Sequence, residues 1–251
     1  MQTTIIILFG IIGLIFGSFF NVVGLRVPKG QQFTNDRSVC PSCHNQLSWY
    51  ELIPVISFII QHGKCRNCKT EISYIYPLVE VITGFLFAFS YVMIGFDAEL
   101  WKALLLISLS MIILVSDIVY MLIPNKVLLF FLPLFIIMNV IDPLEPWWSA
   151  VAGGAIGFSI IAIIIIISRG GMGAGDMKLF GLLGLMLGME KVLIAFFLAC
   201  FIGSVLGMLL ILLGITKRKQ PVPFGPYIVL ATLISYFFSE HLISWYVRLI
   251  L

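Results

Sequence analysis

The sequence predicts an all-α polytopic membrane protein: a bundle of about eight transmembrane helices, with a small cytoplasmic, zinc-ribbon-like tetracysteine domain inserted after the first helix. Three observations carry this. Of 251 residues, 61% are hydrophobic and only 11% charged, with a mean hydropathy of +1.11, which excludes an ordinary soluble domain. The apolar residues fall in runs long enough to cross a bilayer, where every backbone polar group must be satisfied within a helix. The only long polar stretch carries two C-x-x-C pairs.

In chain order, the predicted spans are 3–25, 77–95, 101–119, 126–141, 149–168, 177–189, 191–214 and 225–247. The first lacks a basic leader region and an A-x-A site, so it reads as a retained anchor rather than a cleaved signal. Residues 26–76 form the polar module, and 77–251 the membrane core. Within the module, LIPVISFII (52–60) is too short to span and reads as a domain core or an interfacial segment. The sixth run is short for a crossing: it tilts little, merges into the seventh, or forms a re-entrant half-helix. Glycines four apart (13 and 17, 153 and 157, 184 and 188, 203 and 207) share helix faces and read as close-packing stripes.

With these spans, twelve of the fifteen lysines and arginines fall on one side, including Lys64, Arg66, Lys126 and the Lys217–Lys219 run. Only Lys102, Lys191 and Arg248 fall on the other. The positive-inside rule therefore places the cysteine loop and the KRKQPVPFGP segment in the cytoplasm. The net charge of +3 is modest, and no nucleic-acid binding is expected from it.

Cys40, Cys43, Cys65 and Cys68 form two C-x-x-C knuckles with 21 residues between them. Four thiolates suit a closed, structural tetrahedral zinc site. Disulfides are the rival reading, and a reducing cytoplasm disfavours them. A module this small has little core, so the metal would supply much of its stability. His44 and His62 read as solvated, and Cys200 as a small apolar filler.

Two carboxylates border apolar runs: Asp117 in LVSDIVYMLIPN and Asp176 in GMGAGDMKLF. An ionisable group at membrane depth points to function. Taken singly, Asp176 reads equally as a helix N-cap and Asp117 as a wet helix-end acid. Pro124 suits a turn or the first position of the next helix. As a pair the carboxylates share a proton, one serving as general base on water while the other protonates a substrate carbonyl. The glycines at 173 and 175 let backbone lie close to a neighbour. A phosphate loop is discounted because the lysine–hydroxyl ending is missing. Lys178 faces headgroups or tunes Asp176, the former being preferred.

These segments together resemble the type IV prepilin peptidases, membrane aspartic proteases of the G-x-G-D class. GSFFNVVGLRVP (17–28), RSVCPSC to EVITG (37–84), SDIVYMLIPN (116–125), GAGDMK (173–178) and PFGPY (223–227) occur in the family's order. The resemblance implies an aspartic endopeptidase of the bacterial cytoplasmic membrane, with Asp117 and Asp176 catalytic and Cys40, Cys43, Cys65 and Cys68 the metal-binding set. It implies prepilin or pseudopilin substrates with a basic leader and an apolar helix, cut at the cytoplasmic face for secretion or competence. It also implies methylation of the new N-terminus with S-adenosylmethionine. No Rossmann-like glycine fingerprint is present, and the methyl-transfer residues are unassigned; Glu80 reads either as a polar participant or as a snorkelling interfacial acid. The rival classes are a proton-coupled transporter with the aspartates as relay, and a non-catalytic scaffold of a secretion or pilus machine.

Overall fold

A computed structural model describes residues 2–31, 38–168, 171–214 and 222–250. Arg37, Arg169 and the Lys217–Lys219 run, which weigh in the charge asymmetry, lie outside the described residues. The helices are α1 (Gln2–Arg26), α2 (Ile56–Ile60), α3 (Ile75–Ile94), α4 (Ala98–Tyr120), α5 (Asn125–Ile141), α6 (Ser149–Ile167), α7 (Ala174–Leu212) and α8 (Gly225–Ile250). The predicted span ends fall within three residues of these bounds, except that the sixth and seventh spans meet inside α7. Six of the helices are long and apolar enough to cross a membrane, and α5 is a shorter apolar helix.

The chain divides into two compact units, residues 1–115 and 116–251. In the first, α1 packs on α3 through glycine: a Cβ at Gly13 would stand 2.7 Å from Gly84 Cα, and one at Gly17 2.8 Å from Glu80 Cα. Backbones that close gain van der Waals contact in a setting where the hydrophobic effect between helices is absent. Gly24 similarly faces Val115 of α4, at 2.8 Å from its Cβ. The polar module leaves α1 through a 3₁₀ turn at Val27–Lys29. The 52–60 segment is not a domain core: no residue of α2 is buried, and Leu52, Ile56, Ile59 and Ile60 are all exposed.

In the second unit, α7 is 39 residues long with one non-helical residue, Gly188, at φ 78 and ψ 177. Phe180 and Phe196 lie equally far either side of Gly188, and their ring centroids are 6.0 Å apart. In a straight helix those positions would be separated by about 24 Å, so α7 folds back on itself. The two limbs, 174–187 and 189–212, are the sixth and seventh predicted spans, joined as a hairpin. The reversal frees backbone groups, and side chains take them up. Met189 donates its N–H to Ser149 Oγ at 3.1 Å. The Leu185 carbonyl, its normal helical acceptor, instead receives Asn139 Nδ2 at 2.8 Å. Broken helices persist in apolar surroundings only with such substitutes.

The first limb packs on α6 through a second glycine seam. A Cβ at Gly153 would meet the Gly184 carbonyl at 2.5 Å, and one at Gly157 the Phe180 carbonyl at 2.5 Å. The other stripes divide: Gly203 faces the Phe224 and Tyr227 rings, but a Cβ at Gly207 would meet nothing among the described residues within 4 Å. Gly188 both makes the turn and packs on α6: a Cβ at Gly153 would meet its carbonyl carbon at 2.5 Å.

Gly153→Val is therefore expected to lower stability by about 1–3 kcal/mol through overpacking. Gly207→Ala is expected to be neutral or to stabilise by up to about 1 kcal/mol through helix propensity. Thermal unfolding of the two variants in one detergent checks the contrast; equal destabilisation would overturn it.

Candidate active site

Asp117 lies near the C-terminal end of α4, where the helix dipole repels a carboxylate. The helix ends three residues beyond it, at Tyr120. The Met121 N–H bonds to the Asp117 carbonyl at 2.9 Å, with Met121 left-handed at φ 50, an αL helix stop. The Ser116 hydroxyl bonds to the Leu122 carbonyl and closes the same turn. Pro124 then precedes α5 as its N-cap, one residue before the first helical position that also suited it.

Asp117 is only 6% exposed. Its Oδ2 accepts the Gly225 N–H at 2.7 Å, so the carboxylate sits at the positive end of α8, which offsets the repulsion from its own helix. The contact demands glycine: a Cβ at 225 would stand 2.6 Å from Asp117 Oδ2. This gives the PFGPY segment a role that its sequence did not reveal.

Asp176 is 8% exposed. It is not the N-cap of α7: Gly173 is, and Asp176 Oδ2 reaches back to the Gly173 N–H at 3.1 Å. That is the reciprocal half of a capping box, with glycine supplying the other position. Gly175 packs on the SDIVYMLIPN segment, where an added Cβ would meet Ile123 Cβ at 3.0 Å. Lys178 bonds through Nζ to Asn125 Oδ1 at 3.0 Å, so it fastens the two motifs together rather than facing headgroups alone. The Gly175–Ile123 and Lys178–Asn125 contacts thus bring the two aspartate-bearing motifs together.

The four cysteines of the polar module are free thiols, and their sulfurs all lie within 4.8 Å of one another. Cys40 and Cys68 Sγ are 3.8 Å apart, too far for a disulfide and about the separation expected across a tetrahedral zinc–thiolate site. The module repeats itself in miniature. Cys40 N bonds to the Asn45 carbonyl and Cys65 N to the Thr70 carbonyl, and the bridges Val39–Gln46 and Lys64–Glu71 flank each turn. His44 and Lys69 take the same left-handed position, at φ 55 and 61. His44 is thus a turn residue of the first knuckle rather than only a solvated side chain, and no thiolate is replaced by it.

Donors aimed at the sulfurs favour thiolates. Thr70, through hydroxyl and amide, holds Cys68 down to about 6. The amides of Cys43 and Ser42 lower Cys40. The Asn45 amide favours the Cys43 thiolate too, yet burial and the neighbouring sulfurs push that thiol up to about 11. Without a cation, four thiolates at this spacing repel, so the donor set fits a soft divalent metal ion.

Residues 11–94 match the family model described as the bacterial peptidase A24 N-terminal domain, and residues 104–208 match that of the type IV leader peptidase family. A protein named prepilin leader peptidase/N-methyltransferase from Bacillus subtilis (strain 168) is 41% identical over 241 residues, 96% of this chain and 97% of the relative. The chain belongs to the type IV leader peptidase family. Like-named proteins from Vibrio cholerae serotype O1 (32% identical, 94% of this chain, 98% of theirs) and Aeromonas salmonicida strain A449 (30%, 95% and 92%) agree along almost the whole length. No solved structure matches the chain.

A family member with this cluster is expected to purify with about one metal ion per chain. Cys40→Ser or Cys65→Ser, each removing a buried ligand, should abolish the bound metal, as elemental analysis of the detergent-purified protein would show. Undiminished metal in both variants would refute the assignment.

Proposed function

We propose that this protein is a membrane aspartic endopeptidase that removes the leader from type IV prepilins or pseudopilins, and that it then N-methylates the new terminus. The observation that carries the peptidase reading is the pair Asp117 and Asp176, each buried and each holding one glycine N–H. Residues 1–25 serve as anchor, 26–76 as metal-binding domain and 77–251 as membrane core. Family membership favours this reading over a proton relay or a scaffold.

In the proposed reaction, the dyad holds one proton. The ionised aspartate takes a proton from water, the water oxygen bonds to the scissile carbonyl carbon, and the protonated aspartate gives its proton to the carbonyl oxygen. Collapse of the diol breaks the C–N bond, and the nitrogen leaves with a proton. An extended peptide suits the glycine-rich stretch 171–175, where backbone lies open for approach. The substrate's apolar helix lies in the bilayer, and its basic leader remains with the lysine- and arginine-rich side, which we place in the cytoplasm of the bacterial membrane. The exposed Ile59, Ile60, Trp49 and Tyr74 support a polar module resting on the membrane interface. We assign the metal as zinc, which thiolate ligation favours over harder ions; it cross-links the two knuckles and takes no part in hydrolysis. The methyl donor is S-adenosylmethionine.

Cleavage of a prepilin peptide by detergent-purified protein tests the dyad. Asp117→Asn and Asp176→Asn are each expected to lose about 10²–10⁴-fold in rate while melting normally. Gly225→Ala leaves both carboxylates in place but displaces Asp117, and is expected to cost about 10²-fold. Retained cleavage in either asparagine variant would remove that residue from the mechanism.

A further inference from the structure

Three motifs that the protease site does not use meet at one carboxylate. Glu80, in the YPLVE segment of α3, is 7% exposed. From GSFFN, the absent side chain of Gly17 admits the Glu80 backbone, and Ser18 lines the same cavity as the carboxylate. Asn21, also buried, donates to the Tyr76 carbonyl at 3.1 Å and so fixes the start of the helix that carries Glu80. From LIPV, the Val55 N–H donates to Glu80 Oε2 at 2.8 Å. This buried acid is not a snorkelling one.

Val55 holds φ 61 and ψ −50, and Ile56 N bonds to the Pro54 carbonyl at 2.6 Å. That is a γ-turn of the rare left-handed kind, centred on a β-branched residue that resists it. Strain of this sort persists where its surroundings impose it, and it clusters at ligand sites. Here it serves to aim one amide at one carboxylate. The Val55 N–H leaves Glu80 with acceptor capacity to spare.

Glu80, Ser18, Ser57, Phe58 and Tyr76 line a cavity of about 1270 Å³. A pocket for one small ligand measures about 300–1,000 Å³, so there is room for a nucleoside-sized donor together with a peptide terminus. Glu51 and Glu71, and Arg26 and Lys29, also border it, a mixture of signs that suits a donor carrying both a carboxylate and cationic groups.

We propose that this cavity is the methyl-transfer site and that Glu80 receives the α-amino group exposed by leader cleavage. The inference rests on the methyltransferase half of the proposed function and assigns it residues. The amine enters as an ammonium and passes a proton to Glu80. The nitrogen lone pair then bonds to the methyl carbon of S-adenosylmethionine as the C–S bond breaks. That bond's electron pair stays on sulfur, giving the neutral thioether S-adenosylhomocysteine. The positive charge moves to the methylated nitrogen, and Glu80 releases its proton to water.

The test uses the full chain in detergent with a prepilin peptide and S-adenosylmethionine, reading cleavage and methylation by mass spectrometry and binding of S-adenosylhomocysteine by equilibrium dialysis. Glu80→Gln should cleave and bind the thioether as wild type does, yet lose about 100-fold or more in methylation. Ser57→Phe, which fills the cavity and leaves Glu80 intact, should lose thioether binding while cleavage continues. Methylation at the wild-type rate in Glu80→Gln, or undiminished thioether binding in Ser57→Phe, overturns the proposal. Loss of thioether binding in Glu80→Gln overturns the amine assignment, since the carboxylate would then face the donor. If wild type cleaves but neither methylates nor binds the thioether, the methyltransferase reading itself fails. If wild type does not cleave, the peptidase reading fails and the binding arm still judges the cavity.

Discussion

A carboxylate out of water needs a donor, and in this protein the donor is repeatedly a single backbone N–H brought within reach by a special conformation. Gly225 serves Asp117 from the first residue of α8, Gly173 serves Asp176 from the cap of α7, and strained Val55 serves Glu80. A neutral amide steadies an acid without the strong pull of a lysine or arginine, so the acid keeps the capacity to exchange protons. Much of the architecture follows from delivering those amides. The γ-turn at Val55, the glycine-rich approach to α7 and the entry to α8 are all shaped by where one N–H must point.

The spans were legible because bilayer crossing fixes length and composition, and the helices obey both. The cysteine cluster was legible from its spacing, since two C-x-x-C turns have few folds open to them other than knuckles around a metal. What escaped were features that depend on pairing between distant residues. Nothing local marks Gly188 as a reversal: its spacing from Gly184 imitates a helix face. Asn139 and Ser149, which satisfy the opened backbone, sit in other helices. The 52–60 segment is apolar enough for a core, but with α2 only five residues long it buries none of its residues. Val55, Glu80 and Ser18 come from three separate motifs, so their convergence is invisible along the chain.

The paired knuckles illustrate a related economy. Each turn holds a left-handed residue, His44 or Lys69, where glycine would be easier. Residues 40–46 and 65–71 nonetheless adopt matching geometry, because amides must point at sulfur for thiolates to form. A metal ion adds to this arrangement by cancelling the repulsion that the amides create by favouring charge. Metal and backbone are therefore coupled: removing a thiol leaves donors without their acceptor, and removing the ion leaves the thiolate repulsion uncancelled.

The hairpin in α7 bears on the depth at which chemistry occurs. Its first limb, 174–187, is about 21 Å long as a helix, shorter than a hydrocarbon layer of about 30 Å. On the membrane placement proposed above, a Gly188 turn at one interface would set Asp176 several ångströms inside the other. A longer limb would carry Asp176 into water, where its proton would exchange with solvent and the pairing with Asp117 would weaken through a higher dielectric. At the start of the same limb, Gly173 leaves room for the Asp176 carboxylate and Gly175 for the Ile123 side chain. The glycine-rich segment thus lets the acid at this helix N-terminus turn back on its own cap while the helix packs against the segment that carries Asp117.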